Sequence, residues 1–135
     1  MKFAIIALTF VVFSLAVSCR FRGAFQKTCK DVSLDGSVLI AKCENWTNNG
    51  KTREQIMSKL DLNNCIGNID GKLTWGKSDY KTTSKTCSLI NQLTLKCESR
   101  SKKGAFVTTT YDLGLTVTNT NGTLTCDKKM RRRRY

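Results

Sequence analysis

The chain has 135 residues with seven cysteines, no histidine and no proline, and 23 basic against 10 acidic side chains give it a formal charge of +13. That length holds one domain, or two small lobes sharing a core. Without histidine, imidazole-based catalysis and most zinc sites are poorly supported, and no CxxC pair offers a thiolate alternative; a glycosidase would need paired carboxylates, and no acid here falls in a recognisable catalytic phrase.

The N-terminus reads as a secretory signal over residues 1–18. Lys2 supplies a positive start, Phe3 to Phe13 an apolar centre, and Ala16-Val17-Ser18 a small-residue cleavage site that would leave Cys19 first in the mature chain. A lipoprotein-type cleavage that lipidates Cys19 and a retained anchor are the alternatives. No later stretch is apolar enough to cross a bilayer. All seven cysteines lie at or after the expected cleavage point, which fits an oxidising compartment. Cys29–Cys43 and Cys87–Cys97 would close short loops, each contributing roughly 3 kcal/mol on chain-entropy arguments. Of the remaining three, Cys19 and Cys126 flank the mature domain and could tie its ends together, and Cys65 in its apolar phrase would then be a buried free thiol.

The body is rich in Thr, Ser, Asn and aliphatic residues. Ser37–Cys43, Gln55–Leu62, Lys72–Trp75, Gln92–Cys97 and Phe106–Leu113 alternate apolar with polar and predict strands. Gly36, Asn49-Gly50, Asp70-Gly71, Gly104 and Asn121-Gly122 punctuate them; Asp70-Gly71 and Asn121-Gly122 suit two-residue hairpin turns, because both residues accept positive φ. Helical periodicity is weak, with one short turn expected near Leu62–Ile66. An all-β domain follows.

The chain also repeats itself. LDLNNCIGNIDGKLTW (Leu60–Trp75) has a fainter echo in YDLGLTVTNTNGTLTC (Tyr111–Cys126), with Leu62, Asn68, Gly71 and Leu73 matched by Leu113, Asn119, Gly122 and Leu124. Duplication implies one structural unit used twice and two related sites. Polar Gly76–Lys85 joins the halves, an arrangement that permits either a monomer or a domain-swapped dimer. The chain ends in KKMRRRRY (Lys128–Tyr135), which reads as a solvated cationic tail, as a contact to anionic surfaces, or as a segment trimmed by proteolysis. It lacks the interleaved aromatics of a specific nucleic-acid binder.

FQKTC (Phe25–Cys29), GSVLIAKCE (Gly36–Glu44) and LDLNNCIGNIDGKLTW closely resemble the first repeat of cyanovirin-N lectins. TC (Thr86–Cys87), KCESR (Lys96–Arg100), FVTT (Phe106–Thr109) and NGTL (Asn121–Leu124) resemble the second. The resemblance implies a cyanovirin-N-like domain over 19–127, with repeat one at about 25–75 and repeat two at about 80–126, followed by the 128–135 tail. It implies a pseudo-symmetric, elongated, bilobal all-β fold in which each repeat lends a triple-stranded sheet and a β-hairpin, and each lobe draws on both repeats. It implies binding of mannose-rich glycans, specifically α1,2-linked mannose, at one site per lobe; together with the signal segment and the lack of catalytic or metal-binding phrases, a secreted, non-enzymatic protein without cofactor or metal is expected. Loops Thr47–Met57 and Ser101–Ala105 and the linker are longer than the family's, the Cys87–Cys97 segment is shorter, and Cys19, Cys65 and Cys126 are additional.

Sugar hydroxyls are gripped best by planar carboxylates, amides and guanidinium groups. The family pattern places the second-lobe site on Asn68, Asp70, Thr86, Ser99 and Arg100, with Gly67 where the family carries an acid. Asn68 and Asp70 also suit a hairpin turn without any ligand. The first-lobe site falls on Lys27, Thr28, Glu44, Trp46, Asn119 and Asn121. Asn45-Trp46-Thr47 and Asn121-Gly122-Thr123 are glycosylation sequons, so Asn45 and Asn121 are possible glycosylation positions, and a glycan on Asn121 would sit on that site and weaken or block it. Trp75 is expected in the core at the junction of the repeats, and Trp46 near the surface. The competing functional class is a secreted cationic effector or antimicrobial protein acting through the arginine tail.

Overall fold

The computed structural model describes residues 24–126; the expected signal segment, Cys19 and the arginine tail lie outside the described residues. Ten strands run in order: β1 (Cys29–Asp35), β2 (Val38–Thr47), β3 (Thr52–Asp61), β4 (Ile66–Ile69), β5 (Lys72–Trp75), β6 (Ser84–Ile90), β7 (Thr94–Arg100), β8 (Phe106–Asp112), β9 (Val117–Thr120) and β10 (Thr123–Cys126). They pair as antiparallel sheets β1-β2-β3 and β6-β7-β8 and as hairpins β4-β5 and β9-β10. This is the all-β, two-repeat architecture expected from the sequence. The Gln92–Cys97 strand starts later than expected, at Thr94, because Asn91 and Gln92 take positive φ in the preceding turn.

The period-two pattern decides which side chains turn inward. Leu39, Ala41 and Cys43 are buried on β2, and Leu95, Cys97 and Ser99 on β7. Each three-stranded sheet ends in a 3₁₀ turn, Leu62–Asn64 or Leu113–Leu115, whose leucine is fully buried. Asp61 and Asp112 cap these turns, accepting from the amides of Asn63 at 3.0 Å and Gly114 at 2.8 Å. The hairpins cross over. Repeat one's β4-β5 lies on repeat two's sheet, where the Leu73 amide donates to Thr109 Oγ1, and repeat two's β9-β10 lies on repeat one's sheet, where the Leu124 amide donates to Ser58 Oγ. Each lobe is therefore made from both halves of the chain.

The linker is not a slack connector. Asp79 takes φ 61° and opens a 3₁₀ turn at Tyr80–Thr83, as Ala24 at φ 64° opens the one at Phe25–Lys27. Tyr80 is fully buried, like Phe25. Its hydroxyl has no hydrogen-bond partner among the described residues. Burial, reinforced by the charge of Asp61, pushes its pKa up to about 12.

Three disulfides form: Cys29–Cys43, Cys87–Cys97 and Cys65–Cys126. The third corrects the expectation of a free Cys65 and a Cys19–Cys126 tie. Cys65 leaves the 3₁₀ turn at the edge of hairpin β4-β5 and meets the last residue of β10, so the bridge joins the two repeats. At the matching place in the duplicate stand Thr116 and Trp75. There Trp75 stacks on Tyr111 with centroids 5.7 Å apart, and the Tyr111 hydroxyl bonds Thr116 Oγ1 at 2.9 Å. Trp75 is half-buried against the core at the repeat junction, as expected.

The second short disulfide is not the symmetry mate of the first. Cys29 pairs in register with Cys43; the equivalent residues in repeat two are Ser84 and Ser99, also in register. Their buried hydroxyls lie 2.7 Å apart. Cys87–Cys97 spans the bulge further along the same strands.

Two stability tests follow from this packing. Replacing Cys65 and Cys126 together by Ala opens a 61-residue loop and should lower the unfolding free energy by about 4 kcal/mol; urea titration measures it. Tyr80's folded pKa lies above the unfolded value of 10.0, so its contribution is complete below pH 10 and is lost as pH rises through about 12. Tyr80→Phe should remove that alkaline loss and, by deleting an unpartnered buried hydroxyl, add about 1 kcal/mol at pH 7. Identical alkaline melting of both proteins would refute the assignment.

Candidate functional site

Each candidate site is assembled where a hairpin tip meets the sheet of the other repeat. In the second lobe, the β4-β5 tip carries Asn68, Ile69, Asp70 and Gly71. Asp70 takes φ 51° and Gly71 φ 83°, as the two-residue turn requires. Asn68 faces inward: its Nδ2 donates to Arg100 O at 2.8 Å and Thr83 Oγ1 at 3.0 Å, while its Oδ1 accepts from Gly71 N at 2.8 Å. Asp70 points across, its Oδ1 accepting from the Lys102 amide at 2.8 Å. Between tip and sheet opens a shallow cleft of about 430 Å³ lined by Asn68, Ile69, Asp70, Thr83, Arg100, Ser101 and Lys102.

The first lobe repeats the scheme. Asn119 Nδ2 donates to Thr28 Oγ1 at 3.0 Å and Glu44 O at 3.1 Å, and its Oδ1 accepts from Gly122 N at 2.7 Å. Asn121 Oδ1 accepts from Trp46 N at 2.7 Å, and its Nδ2 returns a long contact to Trp46 O at 3.4 Å. An amide can do both; the Asp70 carboxylate can only accept. The first-lobe tip is thus bracketed to its sheet, whereas the second keeps acceptor capacity free for a ligand. Packing reinforces the difference. A Cβ on Gly122 would meet Ile56 at 2.5 Å and Asn45 at 2.9 Å, but one on Gly71 would meet its nearest neighbour, Val107, at 3.3 Å. Trp46 is exposed, as expected, yet Arg53 covers its ring at 5.4 Å while also pairing with Glu44 at 3.2 Å. Lys27 is exposed and ends the Phe25–Lys27 turn.

Of the residues expected in the second lobe, Asn68, Asp70 and Arg100 come together in the cleft. Ser99 does not, because its side chain is fully buried against Ser84. Thr86 sits at the β6 bulge with φ 53°, its hydroxyl 3.4 Å from Glu98 Oε2 and outside the lining. Gly67 has a steric reason: a Cβ there would lie 2.5 Å from Lys77 Cβ and 2.8 Å from Ser78 O, so the linker occupies the space a larger residue would need.

The CVNH domain profile matches residues 25–125. The chain belongs to this cyanovirin-N homology family. A cyanovirin-N homolog of Tuber borchii is 35% identical over 72 residues, covering 53% of this chain and 65%, just under two thirds, of that protein. Microvirin, solved in complex with mannobiose, has a TM-score of 0.65 at 27% identity over 78% of this chain and 99% of its own. The MoCVNH3 variant Mo0v, solved with (N-GlcNAc)4, reaches a TM-score of 0.70 at 17% identity, over 79% and 99%; that likeness concerns fold alone.

Within this CVNH fold, sequence reasoning missed Thr83, Ser101 and Lys102. A signal for Thr83 was present. Thr83-Ser84-Lys85 repeats Thr28-Cys29-Lys30, and both strands carry a positive-φ bulge residue, Thr86 or Asp31 at φ 53°. Matching cysteine to cysteine instead shifts the second repeat out of register and selects Thr86 in place of Thr83.

The two turn residues should separate by mutation. Asn68→Ala removes three bonds and should lower stability by about 2 kcal/mol. Asp70→Asn keeps a residue suited to positive φ and should change stability by less than about 0.5 kcal/mol. Denaturant unfolding of both variants checks the ranking, and a larger loss for Asp70→Asn would contradict the latch role of Asn68.

Proposed function

We propose that this protein is a secreted, non-enzymatic lectin that binds mannose-rich glycans with α1,2-linked mannose, chiefly at the second-lobe cleft. The observation that carries the reading is the cleft itself: a carboxylate, a guanidinium group and hydroxyls converge on a shallow hollow in a fold shared with a protein solved around mannobiose. Asp70 accepts from sugar hydroxyls, Arg100 donates to a vicinal pair, and Thr83 and Ser101 supply hydroxyls. Asn68 acts by holding the tip. Each such bond contributes only about 0.5–1.5 kcal/mol net, so single-site binding is weak and a second site matters through effective concentration. Secretion is supported by three disulfides and by the leader-like N-terminus.

The first lobe is the weaker site. Its tip is bracketed by Asn121 and wedged by Ile56, and Asn121 is an exposed sequon asparagine. Asn45, the other sequon asparagine, packs under the Gly122 turn.

Titration with α1,2-mannobiose, followed by amide NMR shifts, tests the reading. Shifts should concentrate at Gly71, Ser101 and Lys102, and Asp70→Asn should weaken binding about tenfold, the effect of losing a charge-assisted bond. A response to GlcNAc oligomers in place of mannobiose would keep the lectin and replace its sugar. Silence toward both at millimolar ligand would remove the lectin reading. On glycosylated material, Thr123→Ala deletes the sequon while retaining Asn121 and should bring first-lobe shifts at Trp46 and Gly122; their absence would defeat the blocking idea.

A further inference from the structure

We propose that the second-lobe cleft is specialised for a saccharide carrying a negative charge, with Arg100 at its sheet end and Lys85, outside the lining but on the same Phe106 ring, extending it into an anion-binding site. The proposal rests on the reading that this cleft takes a saccharide. Three neighbouring strands contribute. Lys85 stands near the start of β6, Arg100 ends β7, and Phe106 opens β8 in register with Arg100. Phe106 is exposed, and both cations lie against its ring: Lys85 Nζ is 4.0 Å from the centroid and Arg100 Cζ 5.4 Å. Cation–π attraction explains why two like charges gather at one surface ring.

Neither cation is in an ion pair among the described residues, although Glu98 stands opposite Lys85 and Asp70 lines the same cleft as Arg100. Among the described residues the ion pairs are Lys42–Asp31 and Arg53–Glu44, so Lys85, Arg100 and the cleft residue Lys102 have no acidic partner within pairing distance. Glu98 faces Lys85 in register, but its carboxylate accepts from the Thr86 hydroxyl at 3.4 Å and forms no ion pair with Lys85. Two cations held on one ring repel each other, and an anion seated between them relieves that repulsion. Because the ring already restrains both side chains, less conformational entropy is lost when the anion arrives.

The duplicate supplies an internal control. The strand and hairpin registers match Arg100 with Glu44, Lys102 with Trp46 and Phe106 with Gln55. The same backbone position therefore carries a free cation in one lobe and a paired anion in the other. Fold maintenance does not require charge at the Arg100 position, since both lobes form without a common one there, whereas Lys85 has a lysine counterpart in Lys30. Within the second-lobe cleft, Asp70 lies at the hairpin end and Arg100 at the sheet end. A ligand offering hydroxyl donors to Asp70 and an anionic substituent to Arg100 matches that polarity. A uronic carboxylate and a sugar sulfate or phosphate ester share the required chemistry.

Titration of the intact protein with mannose, mannuronate and mannose 6-phosphate at low ionic strength tests this. At least one anionic sugar should bind about tenfold tighter than mannose, with shifts at Lys85, Arg100 and Phe106 and a gain that shrinks as salt is raised. Preference for mannuronate identifies a carboxylate ligand, and preference for mannose 6-phosphate an ester. In K85Q, and more strongly in R100Q, the ratio of anionic to neutral affinity should fall toward one; Lys85 is exposed, so K85Q reports without a folding defect. Equal affinity for all three sugars overturns the inference and leaves the lectin intact, whereas no binding of any sugar removes both. Inorganic phosphate binding as tightly as mannose 6-phosphate also overturns it, as does a gain that survives R100Q and vanishes on removal of residues 128–135.

Discussion

The structure depends on one interaction used twice: a hairpin asparagine that clamps a strand pair from one repeat onto the sheet of the other. Asn68 and Asn119 each use both amide hydrogens and the carbonyl oxygen on the same three kinds of partner, a threonine hydroxyl, a strand carbonyl and the turn glycine amide. A two-stranded hairpin is marginal alone in water. Docked this way it becomes the lid of a lobe, and the lid's edge becomes the rim of a site. Fold and candidate site thus share a cause: the latch residues are held inward, while Asp70 and Asn121 at the tips reach across to the backbone amides of Lys102 and Trp46.

Much of the fold was legible in the sequence because the repeat is written in residues with few substitutes. Asp70-Gly71 and Asn121-Gly122 carry positive φ, and their spacing from the buried Leu62 and Leu113 is constant. Strands β2, β3, β5, β7 and β8 were legible from their alternation of apolar or β-branched with polar residues, whereas the bulged β1 and β6 were not. The linker was not, because Tyr80 alone announces a core contact in an otherwise polar stretch and the neighbouring backbone contact of Asp79 with Asn63 O leaves no mark on composition. The site was half legible. Asn68, Asp70 and Arg100 follow from the family resemblance carried by the hairpin-turn phrase and the KCESR strand end. Thr83, Ser101 and Lys102 enter through pairing between repeats, which separation along the chain does not reveal.

The cysteines show how a strong local signal misleads. KCE occurs at Lys42–Glu44 and at Lys96–Glu98, inviting an alignment of the two phrases. Register and burial place Ala41 with Cys97 and Cys43 with Ser99 instead. A buried hydroxyl pair holds in repeat two the place a disulfide holds in repeat one, while repeat two's own disulfide staples the bulge. The two lobes preserve geometry and exchange the chemistry that maintains it. Cys65–Cys126 then adds a connection with no counterpart: its mate positions hold a threonine and a stacked tryptophan. A cross-link between repeats limits how far one half can leave the other, so the swapped assembly that the duplication invites would have to form before this bridge closes.

Duplication also explains how the sites could diverge without cost to the fold. The latch reaches the sheet through a backbone carbonyl, at Glu44 in one lobe and Arg100 in the other. Because the carbonyl is common to all residues, the side chain at that position is free to change sign while the hairpin stays docked. Glu44 is drawn down by Arg53, which also covers Trp46, and that lobe closes on itself. Arg100 is drawn outward onto Phe106, beside Lys85, and that lobe stays open and cationic. The same latch therefore supports a neutralised surface and an unsatisfied one. The charge at the sheet end of the second cleft is thus not dictated by the latch that docks the hairpin.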